Sequence, residues 1–128
     1  MTQIKHVGTV IVPVADQDRA VEFFVDKLGF EVRSDIAYGE GSRWVDVAPP
    51  GADTTVALSP PMEGDSISHD GARTTVAFGS DDVDADHAEL RGKGVDVDDE
   101  VMRMGDPVPP MFFFRDPDGN SYLIVQRA

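Results

Sequence analysis

Residues 7–30 read VGTVIVPVADQDRAVEFFVDKLGF, and residues 74–95 read TTVAFGSDDVDADHAELRGKGV. Both stretches begin with an apolar run, reach an aspartate and continue with a helical pattern that closes on glycine. Asp16 in the first stretch and Asp82 in the second are placed to cap a helix, because an aspartate side chain accepts hydrogen bonds from the backbone N–H groups of the first turn. The sequence therefore predicts that one strand–helix unit occurs twice.

The spacing of apolar residues supports both helices. In the first copy the apolar positions follow the i, i+3, i+4, i+7 pattern of a single helix face, at Val21, Phe24, Val25 and Leu28. The second copy carries a thinner stripe of Val83, His87 and Leu90. This position on the stripe indicates that His87 is a half-buried packing residue.

Three strand-like runs follow each helix. They lie at about 30–37, 42–48 and 54–59 in the first half and at about 95–100, 110–115 and 121–127 in the second. Clusters of Pro, Gly and Asp separate them, which is typical of turns. The sequence of each half therefore predicts a βαβββ module, and the fold class of the chain is α+β. One helix over four strands cannot close a core alone, so we expect the modules at about 4–60 and 72–127, joined by a linker at 61–71, to form one domain with a larger curved sheet.

Composition narrows the function classes. The chain has 128 residues, a formal net charge of −13 and no cysteine. Such an acidic chain repels phosphate backbones and anionic lipid head groups, which argues against nucleic-acid and membrane partners. The absence of cysteine excludes thiolate catalysis and disulfides, and it is consistent with a cytoplasmic location. We favour solubility as the explanation of this acidity. The alternative explanation is that the negative charge attracts a cationic ligand.

Short motifs in register relate the two copies to a known family. They are VAD at 14–16, RAVEFF at 19–24, KLGF at 27–30, DDV at 81–83 and FRDPDGN at 114–120. Together these motifs resemble the vicinal-oxygen-chelate superfamily, the glyoxalase/bleomycin resistance protein/dioxygenase group. The resemblance implies paired βαβββ modules that form a cup-shaped mixed sheet around a ligand cavity, commonly in homodimers.

The resemblance also implies where a catalytic metal would be held. The four ligand positions correspond here to Thr9, Thr75, Leu123 and a residue within 55–58, which reads TVAL. Hydroxyl and alkyl side chains do not replace the imidazole or carboxylate ligands that such metals require. We therefore expect no metal at this site and no other cofactor.

Alternation of side chains along the strands predicts a ligand-binding surface. On the strand that precedes each helix, Thr9, Ile11 and Thr75 should point into the cup. On the last strand Leu123 should do so, whereas Tyr122 should point to the other side.

For two further strands, the side chains that point into the cup are predicted by aligning the turns that follow those strands. Aligning the Pro-Pro-Gly turn with the Asp-Pro-Asp-Gly turn pairs Trp44 with Phe112 and Asp46 with Phe114, and we place all four in the cup. The surface is then apolar and aromatic, with a few hydroxyls and one carboxylate. It suits a flat organic molecule whose amine or hydroxyl group is held by Asp46. The candidate ligand-binding residues are Thr9, Ile11, Trp44, Asp46, Thr75, Phe112, Phe114 and Leu123.

Three functions remain open. The first is a metal-independent binding protein that sequesters a drug or metabolite, with a small cationic or aromatic organic ligand and a homodimeric assembly. The second is a glyoxalase-type lyase or isomerase, or a dioxygenase-like enzyme, with a non-standard metal site built from His69, Glu40 or Asp46. The third is a dimeric structural or regulatory protein whose vestigial pocket is filled by its own side chains.

Overall fold

The structure is a computed structural model that describes residues 1–60 and 73–127. The chain divides into two compact units, Met1–Ser66 and Ile67–Ala128, each with its own sheet and helix. The predicted linker at 61–71 lies outside the described residues. In the described part of the chain, neither helix has the length and hydropathy that crossing a membrane requires.

The first unit has one helix and a four-stranded mixed sheet. In chain order its elements are β1 (Thr9–Pro13), α1 (Gln17–Asp26), β2 (Glu31–Tyr38), β3 (Ser42–Ala48) and β4 (Thr55–Ser59). The strands lie in the order β1-β4-β3-β2, with β1 and β4 parallel and the other pairs antiparallel.

The second unit repeats this arrangement. Its elements are β5 (Arg73–Ser80), α2 (Val83–Gly92), β6 (Asp96–Val97), β7 (Met111–Arg115) and β8 (Ser121–Gln126). The strand order is β5-β8-β7-β6, again with one parallel pair, β5 and β8. The predicted βαβββ order is therefore confirmed in both halves.

Strand β6 is shorter than the run predicted at 95–100. It ends at Val97 because the side chain of Asp98 accepts a hydrogen bond from the backbone N–H of Phe113, at 3.0 Å. In a longer strand that N–H would bond to a backbone carbonyl of β6. The backbone N–H of Asp98 still donates to the backbone oxygen of Phe113, and the next pairing with β7 is an isolated bridge between Met102 and Met111.

Both helices begin at the predicted caps. The Asp16 carboxylate accepts from the backbone N–H of Arg19, and that of Asp82 accepts from Ala85, each at 3.0 Å. Each aspartate has extended backbone geometry, as an N-cap requires. The cap and the following acidic residues also interact favourably with the positive end of the helix dipole.

Removing the first cap should weaken the fold measurably. We expect Asp16→Ala to lower the free energy of unfolding by about 1 kcal/mol, because the first turn of α1 loses a hydrogen-bond acceptor. Urea denaturation followed by circular dichroism measures this. Glu22→Ala, which removes an exposed carboxylate from the same helix, should stay within about 0.5 kcal/mol of the parent chain. Equal effects of the two changes would contradict the capping role.

The core of the first unit lies between α1 and one face of its sheet. That face carries fully buried aliphatic side chains, namely Val12, Val45, Val47, Val56 and Leu58. Helix α1 contacts β2, β3 and β4 and buries Ala20, Phe23 and Phe24. Its first residue is tied to the sheet, since Gln17 Nε2 donates to the backbone oxygens of Arg43 and Leu58 at 2.9 and 2.8 Å.

The core of the second unit is aromatic. Phe112, Phe114 and Tyr122 are completely buried, and the rings of Phe114 and Tyr122 stack with centroids 5.1 Å apart. The His87 ring of α2 meets Phe112 edge-on at 5.0 Å. These rings therefore lie on the face of the sheet that α2 covers.

The prediction that Phe112 and Phe114 point away from the helix is thus wrong. The register of β7 with β8 sets Phe114 opposite Tyr122, on the helix side, and Phe113 opposite Leu123, on the other. The turn alignment failed because the two turns differ in length. Asp46 pairs with Ala57, eleven positions on, whereas Phe113 pairs with Leu123, ten positions on. A one-residue difference turns every side chain of a strand to the opposite face.

The turn between β7 and β8 is built around a buried aspartate. Asp116 accepts hydrogen bonds from the backbone N–H groups of Asp118 and Asn120 and, at 2.8 Å, from the hydroxyl of Tyr122. Burial raises the pKa of the Asp116 carboxyl above its ordinary value, against the lowering effect of these hydrogen bonds. Burial likewise raises the pKa of the Tyr122 hydroxyl. The FRDPDGN motif therefore fixes the β7–β8 turn.

Candidate functional site

The face of the first sheet opposite α1, here called the helix-free face, carries a cluster of polar side chains. Strand register places Thr9 beside Thr55 on β1 and β4, and Asp46 beside Ala57 on β3 and β4. The neighbouring positions are occupied by Ile11, Ser34, Ile36 and Trp44. Three predicted ligand-binding residues, Thr9, Trp44 and Asp46, are thereby brought into one cluster, with Ile11 on the same face.

Asp46 is the centre of this cluster. Its Oδ2 accepts a hydrogen bond from Trp44 Nε1 at 3.2 Å and lies 3.3 Å from Thr55 Oγ1. The Thr55 hydroxyl is closer to Thr9 Oγ1, at 2.8 Å, and the Thr9 hydroxyl donates to the backbone oxygen of Thr55. The carboxylate is therefore held at one oxygen, by long hydrogen bonds.

The second oxygen of Asp46 has no hydrogen-bond partner among the described residues. The residue is 6% exposed, and its Oδ1 receives no hydrogen bond in the part of the chain that the structure describes. An unsatisfied buried acceptor costs about 1–3 kcal/mol, and a charged one costs more. Nearly all buried polar groups in proteins are hydrogen-bonded, so an exception calls for a specific explanation.

The arginines near Asp46 are bound elsewhere. Arg43, on the same strand, makes ion pairs with Asp18 and Asp35 at 2.6 and 2.7 Å. The hydrogen bond from Arg43 holds the pKa of Asp35 below its ordinary value. Arg33 pairs with Glu31. No ion pair to Asp46 forms within residues 1–60 and 73–127, so its carboxylate lacks a counter-ion there.

Apolar side chains surround the polar cluster. Ile11 and Ile36 lie on the same face and are 55% and 57% exposed. Trp44 is half-buried, opposite Ile36 on the neighbouring strand and two positions from Asp46 on its own strand. An indole ring next to an exposed aliphatic group offers a flat organic molecule a surface for stacking and desolvation.

The second sheet has a helix-free face of a different character. Leu123 lies there, half-buried, beside Phe113 and Ala77. Arg115 is on the same face and pairs with Asp96 and Asp98, each at 2.9 Å. Sequence reasoning did not assign Phe113 to this face. The difference in length between the β3–β4 and β7–β8 turns would have indicated that Phe113 belongs on this face.

Comparison with known proteins gives the family. A family model described as "Glyoxalase/Bleomycin resistance protein/Dioxygenase superfamily" matches residues 3–122. The chain belongs to this superfamily. Its two βαβββ units and the resemblance noted in the sequence agree with the match.

Relatives within the superfamily cover almost the whole chain. The uncharacterized protein YetH of Bacillus subtilis is 31% identical over 127 residues, which are 96% of this chain and 99% of YetH. The crystal structure of TnmS3, an antibiotic binding protein from Streptomyces sp. CB03234, is 36% identical with a TM-score of 0.79 and full coverage of both chains. A superfamily member from Sphaerobacter thermophilus is 33% identical, with a TM-score of 0.85, over 98% of this chain and all of that one.

The positions at which catalytic members of the superfamily hold a metal do not fit one here. Thr9 and Thr55 bond to each other, and Leu123 offers only an alkyl group. The prediction at Thr75 falls on a side chain that the structure does not describe. Within the described residues, no three His, Asp or Glu side chains are grouped so that they could hold a metal ion.

The described histidines do not provide an alternative metal site. His87 Nε2 lies 2.6 Å from the backbone oxygen of Asp98 and is occupied by that hydrogen bond. His6 is exposed before β1, and Glu40 is exposed in the β2–β3 turn. His69, which was also considered for a non-standard site, lies outside the described residues.

Proposed function

We propose that this superfamily member is a metal-independent binding protein that sequesters a small organic molecule on the helix-free face of its first sheet. The observation that carries the proposal is the buried carboxylate of Asp46 beside the half-buried indole of Trp44, because Asp46 Oδ1 has no hydrogen-bond partner within residues 1–60 and 73–127. A buried polar group left unsatisfied beside apolar and aromatic side chains is a typical feature of a ligand site. A homodimer and a cytoplasmic location belong to this proposal as expectations from the sequence.

Two further observations support binding over the alternatives. TnmS3, which shares 36% identity over the full chain, is an antibiotic binding protein. A vestigial pocket filled by its own side chains would satisfy Asp46 internally, whereas its Oδ1 has no donor in the described part of the chain. The positions that hold a metal in catalytic relatives offer only hydroxyl and alkyl groups where they are described, which disfavours the metal-dependent enzymes.

Trp44 gives the direct test of the binding surface. We expect bleomycin or a flat aromatic amine such as 9-aminoacridine to bind, and Trp44→Ala to weaken that affinity by about 30-fold, or about 2 kcal/mol, as for a central aromatic contact. Isothermal titration calorimetry measures the affinity. Trp44→Phe keeps an aromatic ring and should retain most of it, and both variants should melt close to the parent temperature.

Two outcomes would count against this function. If no probe produces heat or changes the emission of Trp44, the only tryptophan, the binding surface is wrongly assigned. Protein dialysed against EDTA should bind as well as untreated protein. If it binds only after Ni²⁺, Mn²⁺, Zn²⁺ or Fe²⁺ is restored, the metal-dependent alternative is correct.

A further inference from the structure

The hydrogen-bonding state of Asp46 specifies the ligand more closely. We infer that the site selects an organic cation bearing N–H donors, such as a primary ammonium or an amidinium, and places one N–H on Asp46 Oδ1. It discriminates against quaternary ammonium groups, alcohols and carboxylates on the same scaffold. This inference rests on the proposed function, and it adds the chemical group that the ligand presents.

The first step is the direction of the hydrogens around the carboxylate. A hydroxyl donates a single hydrogen, so Thr55 bonds either to Thr9 Oγ1 at 2.8 Å or to Asp46 Oδ2 at 3.3 Å. The shorter contact favours Thr9. Asp46 then receives one hydrogen bond, from Trp44 Nε1 at 3.2 Å, although a carboxylate offers about four lone-pair sites. Its Oδ1 can therefore accept a hydrogen bond from a donor on a ligand.

The second step is charge. Asp46 has no ion pair within the described residues, and Arg43, on the same strand, is held by Asp18 and Asp35. A neutral donor such as an alcohol would satisfy Oδ1 but leave the buried charge uncompensated. A cationic N–H donor supplies both the hydrogen bond and the counter-ion, and such charge-assisted bonds are roughly twice as strong as neutral ones. Ammonium is therefore favoured over hydroxyl.

The third step separates charge from hydrogen bonding. A quaternary ammonium is a permanent cation, but its methyl groups carry no polar hydrogen and keep the nitrogen away from Oδ1. Asp46 is 6% exposed, so a bulky cation cannot compensate it from bulk water as it would at an open surface. A carboxylate ligand would add a second negative charge beside the first. Only a cation with N–H donors meets both requirements.

A matched set of naphthalene probes tests the inference. The set is 1-naphthylmethylamine, its N,N,N-trimethylammonium analogue, 1-naphthalenemethanol and 1-naphthoate, with affinities measured by calorimetry at pH 7.5. We expect the primary amine to bind at least about tenfold more tightly than each of the others. In Asp46→Asn this preference should fall to about twofold or less. In Asp35→Asn, which removes a carboxylate that pairs with Arg43 outside this cluster, the preference should persist.

Trp44 provides a readout that does not depend on affinity alone. As the only tryptophan, it gives a single indole N–H signal in a ¹H–¹⁵N spectrum, and that N–H donates to Asp46 Oδ2. Saturating amine should shift this signal in the parent protein by more than saturating alcohol does. The difference should vanish in Asp46→Asn.

The outcomes distinguish this inference from the proposed function. If all four probes bind with similar affinity and depend on Trp44, the small-molecule site stands and the selection of N–H cations is wrong. If the trimethylammonium analogue equals the amine, charge alone is recognised and the inference is equally overturned. If none of the naphthalene probes binds and bleomycin and 9-aminoacridine also fail, both the inference and the proposed function fall.

Discussion

Phe114→Ala should lower the free energy of unfolding by about 3–5 kcal/mol, the largest loss expected from a single truncation in the aromatic core. The ring is completely buried and stacks on Tyr122 and Phe78, with centroids 5.1 and 6.2 Å away. Alanine would leave a cavity between α2 and the second sheet, where the surrounding rings cannot collapse fully. Guanidinium denaturation followed by far-ultraviolet circular dichroism gives the value.

Phe113→Ala is the matched control for this change. Phe113 is the adjacent residue on β7, points to the opposite face and is half-buried. Its truncation should cost about half as much as that of Phe114 or less. The reverse order would mean that the strand lies with its other face towards α2, as the turn alignment in the sequence had indicated.

Asp46→Asn should raise the free energy of unfolding by about 1 kcal/mol while it abolishes the preference for cationic ligands. The variant keeps an oxygen that can accept from Trp44 Nε1 and removes a buried charge that has no counter-ion in the described residues. Gains in stability at the expense of binding are typical of residues that are retained for function. Thermal and urea unfolding of the unliganded protein measure the first effect.

Asp35→Asn is the control with the opposite expected sign. Asp35 lies on the neighbouring strand β2 and forms an ion pair with Arg43, and that contact lowers its pKa. Its neutralisation should therefore slightly lower the stability of the fold at neutral pH. The lowered pKa also means that the stabilising contribution of this pair is present above the ordinary pKa of an aspartate and is lost as the pH falls through the lowered value. If Asp46→Asn destabilises the protein more than Asp35→Asn does, the Asp46 carboxylate is structural and not a ligand group.

Local patterns were sufficient for the architecture. The apolar spacing after Asp16 and Asp82 predicted both helices and their caps, since capping and amphipathic periodicity depend on residues within a few positions of each other. Turn residues predicted the strands that follow, with β6 as the exception. There the decisive contact, from the N–H of Phe113 to the Asp98 side chain, joins residues far apart in sequence.

Local sequence patterns predicted the candidate site only in part. Alternation along one strand placed Thr9 with Ile11, and the structure sets them on one face with Trp44 and Asp46. For β7 the same alternation offered two solutions, because three phenylalanines follow one another at 112–114. Both solutions bury an aromatic residue under α2, so apolar character could not choose between them.

The sequence by itself determined the two βαβββ modules, their helix caps and the family to which the chain belongs. Tertiary structure alone decided which face each ring of β7 occupies, because cross-strand register depends on a one-residue difference between distant turns. It also decided that Asp46 Oδ1 receives no hydrogen bond from the described residues, since its cross-strand neighbours are set by a register that the local sequence does not determine. Periodicity acts within an element, whereas hydrogen-bond satisfaction is a property of elements brought together.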